Sequence, residues 1–329
     1  MQKFKTITGK ELLEKEIEQI PFVVNEILPI GLSLLAGESK IGKSWLSLWL
    51  SIQVAKGEKV WNFDSSKGTV LYLCFEDNEI RIQNRLIDIT EDAPSNVHFC
   101  IDSCKLGGEI ENKIQNFITE HKNTNLIIID TLQTIRPDNR ESNYANDYSD
   151  LRILKKLADE NKIAIVLIHH FRKTKSKDIF DMITGSTGLQ GAVDTMFTLS
   201  QSERGNEYAT LKMLGRDVLS RELELKRNED NVWEVIQDSE SETTLENKRF
   251  IKTICNFMLD KENFIGTATE LSNQLTRYSE EVYSNKKLSK NIKKLSSSLE
   301  KNGIMSSTRR SNGIRLIELI NVNAKPKVA

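Results

Sequence analysis

The 329-residue sequence contains no apolar run approaching the ~20 residues that cross a bilayer, so no membrane-spanning segment is expected. Its opening stretch, MQKFKTITGKELLEKEIEQ, is polar and rich in acidic side chains, unlike a secretory leader. Cysteine is scarce. Cys74, Cys100, Cys104 and Cys255 form no CxxC pair, and CIDSC has no histidine or second cysteine pair nearby. These read as reduced, mostly buried thiols of a cytoplasmic protein. Histidine is equally scarce, yet two of the four, His169 and His170, stand side by side in VLIHHFRKTKSK. An apolar strand-like run ends there and a basic segment begins at once.

What is present describes a soluble globular chain: 38% hydrophobic and 28% charged residues, long enough for one large domain and a small one. The net charge of −1 conceals an asymmetry. From Glu246 onward there are 16 Lys and Arg against 8 Asp and Glu, while residues 1–245 carry 30 against 39. An acidic body with a basic appendage points to a polyanionic partner, with a merely solvated charged surface as the alternative.

Apolar runs alternate with helical stretches. LSLLAG, TVLYLCFED, VHFC, LIIID and IAIVLIHH read as strands, separated by helices over Lys43 to about Lys56, NEIRIQNRLIDIT, 108–121 and about Asp147 to Asn161. The strands are continuously apolar, as in a parallel sheet covered on both faces, so the expected class is α/β. After Gly191 the runs DTMFTLS, ATLKML, ELELKR and VWEVI follow without helices and suggest an antiparallel extension of that sheet. The expected division is a body over 1–236, with a lead-in segment 1–30, a polar linker over 237–248, and a small domain over 249–329. In that domain Thr267 and Glu270 form a capping box, and Leu288, Ile292, Leu295 and Leu299 stripe a helix ending at Gly303. Two strand-like pieces around SNG close what resembles a winged helix.

The strongest motif is GESKIGKS, following a strand and opening a helix. Gly37, Glu38, Ser39, Lys40, Ile41, Gly42, Lys43 and Ser44, with Trp45 directly after, form a candidate phosphate-binding loop. Phosphates need a concave cradle of backbone N–H groups, and a helix N-terminus favours their charge. Lys43 would reach the β- and γ-phosphates of ATP, and Ser44 would ligate Mg²⁺. Asp130, closing LIIID, is the candidate acidic partner of that Mg²⁺. LYLCFED puts Glu76 and Asp77 at another strand end. Glu76 is the candidate catalytic base, and Asp77 is expected to cap the next helix. Arg81 and Arg85 on that helix suit either phosphate contact or a surface salt bridge.

PIGLSLLAGESKIGKSWLS, LYLCFEDNEIRIQNRL, LIIIDTLQTIRP, VLIHHFRK, GSTGLQGAVDTMF and LGRDVLSRELEL occur in this order. Together they resemble the RepA-type branch of the RecA-like ATPases, plasmid- and phage-borne hexameric replicative helicases and related mobile-element proteins. Thr131, rather than a glutamate, follows Asp130, which suits the RecA-like placement of the base at Glu76. The resemblance covers residues 20–236 or so. It implies a RecA core, Mg-ATP hydrolysis and a homo-oligomeric, hexameric ring with ATP between subunits. It also implies a histidine sensing the γ-phosphate, with a mobile DNA-touching loop after it.

Neighbouring strand residues face opposite ways, so one histidine of the pair would meet the nucleotide, His170 by preference. Satisfied core histidines or a metal pair are the alternatives. Arg172, Lys173, Lys175 and Lys177 would line a central channel for single-stranded DNA, unless the loop is simply solvated. Arg216 would be the arginine finger supplied in trans, with Lys212 beside it. In the small domain Lys286, Lys287, Lys290, Lys293 and Lys294, with Arg309 and Arg310 in the wing, suit double-stranded DNA with weak sequence preference; docking to a protein is the alternative. The expected function is a DNA-dependent ATPase motor, a replicative helicase with a primase, initiator or other element-encoded partner. An ATP-switched loader or recombination regulator, or the ATPase of a defence system, would use the same residues.

Overall fold

The computed structural model describes residues 4, 6–15, 20–137, 144–172, 176–184, 187–203, 205–240, 242–279, 281–311 and 314–324. The chain divides into two compact units between Ser239 and Glu240. Among the described residues no helix is long and apolar enough to cross a membrane.

The first unit begins with α1 (Gly9–Glu14), capped by Thr8 and Glu11, and a small hairpin of β1 (Phe22–Val24) and β2 (Leu28–Pro29). The alternation then follows: β3 (Gly31–Gly37), α2 (Lys43–Lys56), β4 (Thr69–Cys74), α3 (Glu79–Ile89), β5 (Val97–Cys100) and α4 (Glu109–Glu120). It continues with β6 (Thr124–Asp130), α5 (Leu132–Ile135), α6 (Tyr144–Asn161), β7 (Ala164–His170), α7 (Thr187–Ala192) and β8 (Thr195–Ser200). β9 (Tyr208–Gly215), β10 (Arg221–Arg227) and β11 (Trp233–Glu240) complete a nine-stranded sheet of order β11-β10-β9-β8-β3-β7-β6-β4-β5.

Strand parity builds two cores. Leu35, Ile128, Val166 and Ile168 face α2 and its Leu46, Leu48 and Ile52, whereas Leu34, Ile129, Ile165 and Leu167 face α4 and α6. Because both faces are buried, the central positions of these strands are apolar on both sides, with Ser33 a buried exception and the polar residues of β6 and β7 kept to the strand ends, and the α/β expectation holds. One expectation needs correction. β8 pairs in parallel with β3, and only from β9 onward is the extension antiparallel. The short helix α7, which the sequence pattern did not reveal, provides the crossover that parallel pairing requires.

The stretch 237–248 is not a linker either. β11 runs to Glu240 and α8 (Glu242–Met258) starts at Glu242. Acidic side chains in a first helical turn complement the helix dipole, so an acidic run is no evidence against a helix start.

The second unit contains α8, β12 (Asn263–Thr267), α9 (Ala268–Leu275), α10 (Asn285–Lys294), α11 (Ser296–Lys301), β13 (Ile304–Ser311) and β14 (Ile314–Asn321). Its sheet has the order β12-β14-β13. β12 was not anticipated. The capping box at Thr267 and Glu270 is present. The single striped helix is broken at Leu295 into α10 and α11, where a run of serines weakens helix propensity while Leu295 and Leu299 stay in the core.

Candidate active site

β3 ends at Gly37, and the chain curls through residues 38–42 before α2 begins. Gly37 is required by crowding, since a Cβ there would lie 2.5 Å from the carbonyl oxygen of Leu199 on β8. Gly42 has φ +104° and faces the indole of Trp233, with Nε1 3.1 Å from where its Cβ would be. Lys43, in the first turn of α2, donates to the carbonyls of Gly37 at 3.0 Å and Glu38 at 2.7 Å. Burial pushes its ammonium down to about 8, against the pull of Asp130, Glu76 and Glu38. The open cleft above encloses about 520 Å³, and Ser39, Lys40, Gly42, Lys43, Ser44 and Trp45 line one side of it. Ile41 is buried beneath the loop.

Glu76, Asp130 and His170, at or just beyond the carboxyl ends of β4, β6 and β7, line the same cleft. This is the crevice at which parallel sheets bind ligands. Asp130 is buried and accepts from the Tyr72 hydroxyl at 3.0 Å. Burial raises its carboxyl above the ordinary range, and hydrogen bonds from Ser44 and Tyr72 oppose that. Tyr72 is itself held well above its normal value by burial, so its phenol is the donor. Glu76 is exposed in the cleft, and the Thr131 hydroxyl donates to its Oε1 at 2.8 Å.

Asp77 does not cap α3. Asn78 does, accepting from the Arg81 N–H, while Asp77 holds Arg81 at 2.9 Å and Arg85 at 2.5 Å. Both arginines line the cleft, so salt bridge and proximity to the loop coexist.

The two histidines part as strand parity requires. His170 Nδ1 lies 3.5 Å from Lys43 Nζ, and burial, then the Lys43 charge, lowers its pKa. His169 is buried on the other face with Nε2 2.7 Å from the carbonyl oxygen of Thr184. Burial pushes it down to about 4, so the ring is neutral and Nε2–H is the donor. The Thr184 N–H in turn donates to the His170 carbonyl at 3.1 Å, and Phe171 bridges to Ile183. Of the basic segment, Arg172 and Lys177 are exposed, and Lys173 and Lys175 lie outside the described residues.

Arg216 is not brought to this cleft. It bonds Asp194 at 3.3 Å and the Gly191 carbonyl at 2.8 Å. Asp194 accepts from the Leu32 N–H, five residues before Gly37 on β3 and therefore ~17 Å of strand from the start of the phosphate loop. Lys212 pairs with Glu222 across the β9–β10 hairpin.

Sequence reasoning missed Thr131 and Tyr72, and also Arg227. The Arg227 guanidinium lies 5.4 Å from the Trp45 ring and 5.9 Å from Trp233 and lines the cleft. Arg85 meets the same Trp45 ring at 5.7 Å.

The AAA domain family matches residues 2–176, more than half of the chain, from the lead-in segment to the basic run after His170. The chain belongs to the AAA domain family. Among solved structures, this AAA-domain chain is similar to a DnaB-like replicative helicase described with its interactions with primase. Identity is 13% and the TM-score 0.53, over 68% of this chain and 66% of that one. The chain thus spans just under two thirds of the helicase's length, and the likeness is one of fold: a RecA-like α/β core with its phosphate loop after β3. A search of curated protein sequences finds no match.

Proposed function

We propose that this AAA-domain chain is an ATP-hydrolysing motor acting on DNA. In this reading it belongs to the RepA-type branch, works as a homo-oligomeric ring of hexameric type, and serves as a replicative helicase of a plasmid, phage or integrated element. The observation that carries the reading is the convergence of Lys43, Asp130, Glu76 and His170 on one cleft, from four separate stretches of chain. A primase as partner follows by analogy with the DnaB-like structure alone.

Each residue has a chemical task. The buried Lys43 ammonium holds two carbonyls that phosphate oxygens can replace. Glu76, oriented by Thr131, accepts the proton of the attacking water as its oxygen bonds to the γ-phosphorus and ADP leaves. His170 sits beside Lys43 at the γ-phosphate end, one residue from the loop base closed by Thr184, so loss of that phosphate can be relayed to Arg172 and Lys177. The donor set suits Mg²⁺: a hydroxyl on Ser44 and a buried carboxylate on Asp130 that burial makes costly to leave charged and alone. Mg²⁺ held there would neutralise charge on the phosphate oxygens. In this reading Arg216, which bonds Asp194 and Gly191 away from its own cleft, would serve the cleft of a neighbouring subunit.

The test is steady-state ATP hydrolysis and strand displacement by the full chain, with and without single-stranded DNA. Lys43→Ala should lose nucleotide binding and both activities. A wild-type protein that hydrolyses no ATP under any of these conditions would refute the motor.

A further inference from the structure

Three arginines line the cleft, and two of them are already engaged: Arg81 and Arg85 share the Asp77 carboxylate. Arg227 has no carboxylate partner among the described residues. Its guanidinium instead lies over two indoles, 5.4 Å from the Trp45 ring and 5.9 Å from the Trp233 ring. The side chain is half-buried, and its Nε is sealed off without an acceptor. Burial lowers its pKa with no acidic group involved, yet a guanidinium stays charged at any ordinary pH. A partly desolvated charge without a counter-charge is costly, and an anion entering the cleft would relieve that cost.

That charge has a fixed place. Arg227 ends β10, and the turn after it is tied by Asn228, whose Oδ1 accepts from the N–H groups of Asp230 at 3.1 Å and Val232 at 2.9 Å. Trp233 opens β11 fully buried, and its carbonyl accepts from Trp61 Nε1 at 2.6 Å. The same Trp233 indole stands against Gly42 of the phosphate loop. Arg227 is therefore held beside the loop before any ligand arrives, which lowers the ordering cost of binding. In strand order β10 lies on one side of β3. On the other side lie β7, β6 and β4, which bring His170, Asp130 and Glu76 to the cleft.

We propose that Arg227 binds the α-phosphate of the nucleotide held in its own subunit. The inference rests on the ATPase reading, in which His170 and Glu76 meet the γ-phosphate. A group from the opposite side of β3 then meets the end of the polyphosphate nearest the sugar. Phosphate suits this guanidinium better than a base does. Its face is turned to indoles, and what remains is a rim of in-plane N–H donors, a fork that matches two phosphate oxygens. Trp45 is a poor platform for a base, because Arg85 also lies over its ring, at 5.7 Å. The bonds at the α-phosphorus do not change when the γ-phosphate leaves. Arg227 therefore holds ground state and transition state equally, strengthening binding without accelerating the chemical step.

Calorimetric titration of the full chain tests this without hydrolysis, using ADP, a non-hydrolysable ATP analogue and inorganic tripolyphosphate. Arg227→Gln should weaken all three by a similar factor, about 10- to 100-fold. Arg227→Lys returns the charge without the fork and should recover part of the loss. With ATP as substrate, the fall in kcat/KM should be carried by KM rather than by kcat. The urea midpoint of Arg227→Gln should be equal or higher, since an unpaired charge has been removed. Wild-type affinity for ADP in the folded Gln variant would overturn the inference. So would a loss confined to the ATP analogue, which puts Arg227 at the γ-phosphate, or one that spares tripolyphosphate, which puts it at the sugar or base. A wild type that binds ADP but never hydrolyses ATP would refute the motor and leave this comparison readable. A wild type that binds none of the three would overturn both.

Discussion

His169 Nε2 donates to the carbonyl oxygen of Thr184 at 2.7 Å and thereby fastens the far end of the basic loop to β7. Its neighbour His170 faces Lys43 across the sheet. The two adjacent histidines therefore serve two sides of one strand, one toward the phosphate loop and one toward the base of the loop after it.

Replacing His169 by Leu should strand the Thr184 carbonyl and cost ~1–3 kcal/mol of stability. His169→Gln, whose amide can donate from a similar position, should recover most of it. The pH dependence has a definite sign. With a folded pKa pushed down to about 4 and an unfolded value near 6.5, the unfolded chain binds the extra proton between those values. Stability should fall as pH drops from about 6.5 to about 4, and His169→Gln should flatten that limb in urea titrations.

The depressed Lys43 pKa has a consequence for ligand binding. Free protein loses the ammonium proton around pH 8, whereas a bound polyphosphate favours the charged form. ATP affinity should be level below pH 8 and about tenfold weaker at pH 9, with proton uptake on binding. Calorimetry in buffers of different ionisation enthalpy measures that uptake directly. Lys43→Arg, always charged, should abolish the pH dependence whatever it does to affinity.

Thr131→Val should leave KM for ATP nearly unchanged and lower kcat about tenfold, because Glu76 loses the bond that aims it. Thr131→Ser should retain activity. Glu76→Gln should bind ATP and lose at least about 10²-fold in turnover. Normal turnover by Glu76→Gln would assign the base elsewhere.

What was legible in the sequence were the residues that end apolar strands. Lys43, Glu76, Asp130 and His170 each lie at or just past such an end, and parallel strands bring those ends to one edge whatever their order. Contacts that depend on strand order were not legible. Thr131 and Glu76 are 55 residues apart, and Tyr72 and Asp130 are 58. Each pair meets because β4 lies beside β6. Arg227 reaches the cleft from the antiparallel strands, where it meets Trp45 and Trp233. Asp77 was misread because helix caps differ by one residue, and Asn78 beside it has equally suitable chemistry. The parallel pairing of β8 was hidden because α7 is too short to show a period.

Arg216 supplies a prediction about assembly. Asp194 holds it now, but Lys155 also contacts Asp194, at 2.6 and 2.8 Å, so Arg216 can leave without stranding a buried carboxylate. Arg216→Ala and Lys43→Ala should each be inactive, losing about 10³-fold or more. Mixed together they should regain ATPase at interfaces that join an intact phosphate loop to an intact arginine. No recovery in mixtures shown to co-assemble would place Arg216 outside the reaction.

The most direct measurement is the rate of ATP hydrolysis by wild type and His170→Ala over a titration of single-stranded DNA. DNA should accelerate the wild type. His170→Ala should bind ATP with similar affinity and keep its DNA-free rate, yet gain nothing from DNA. Equal stimulation of both proteins, or a wild-type rate indifferent to DNA, would contradict it.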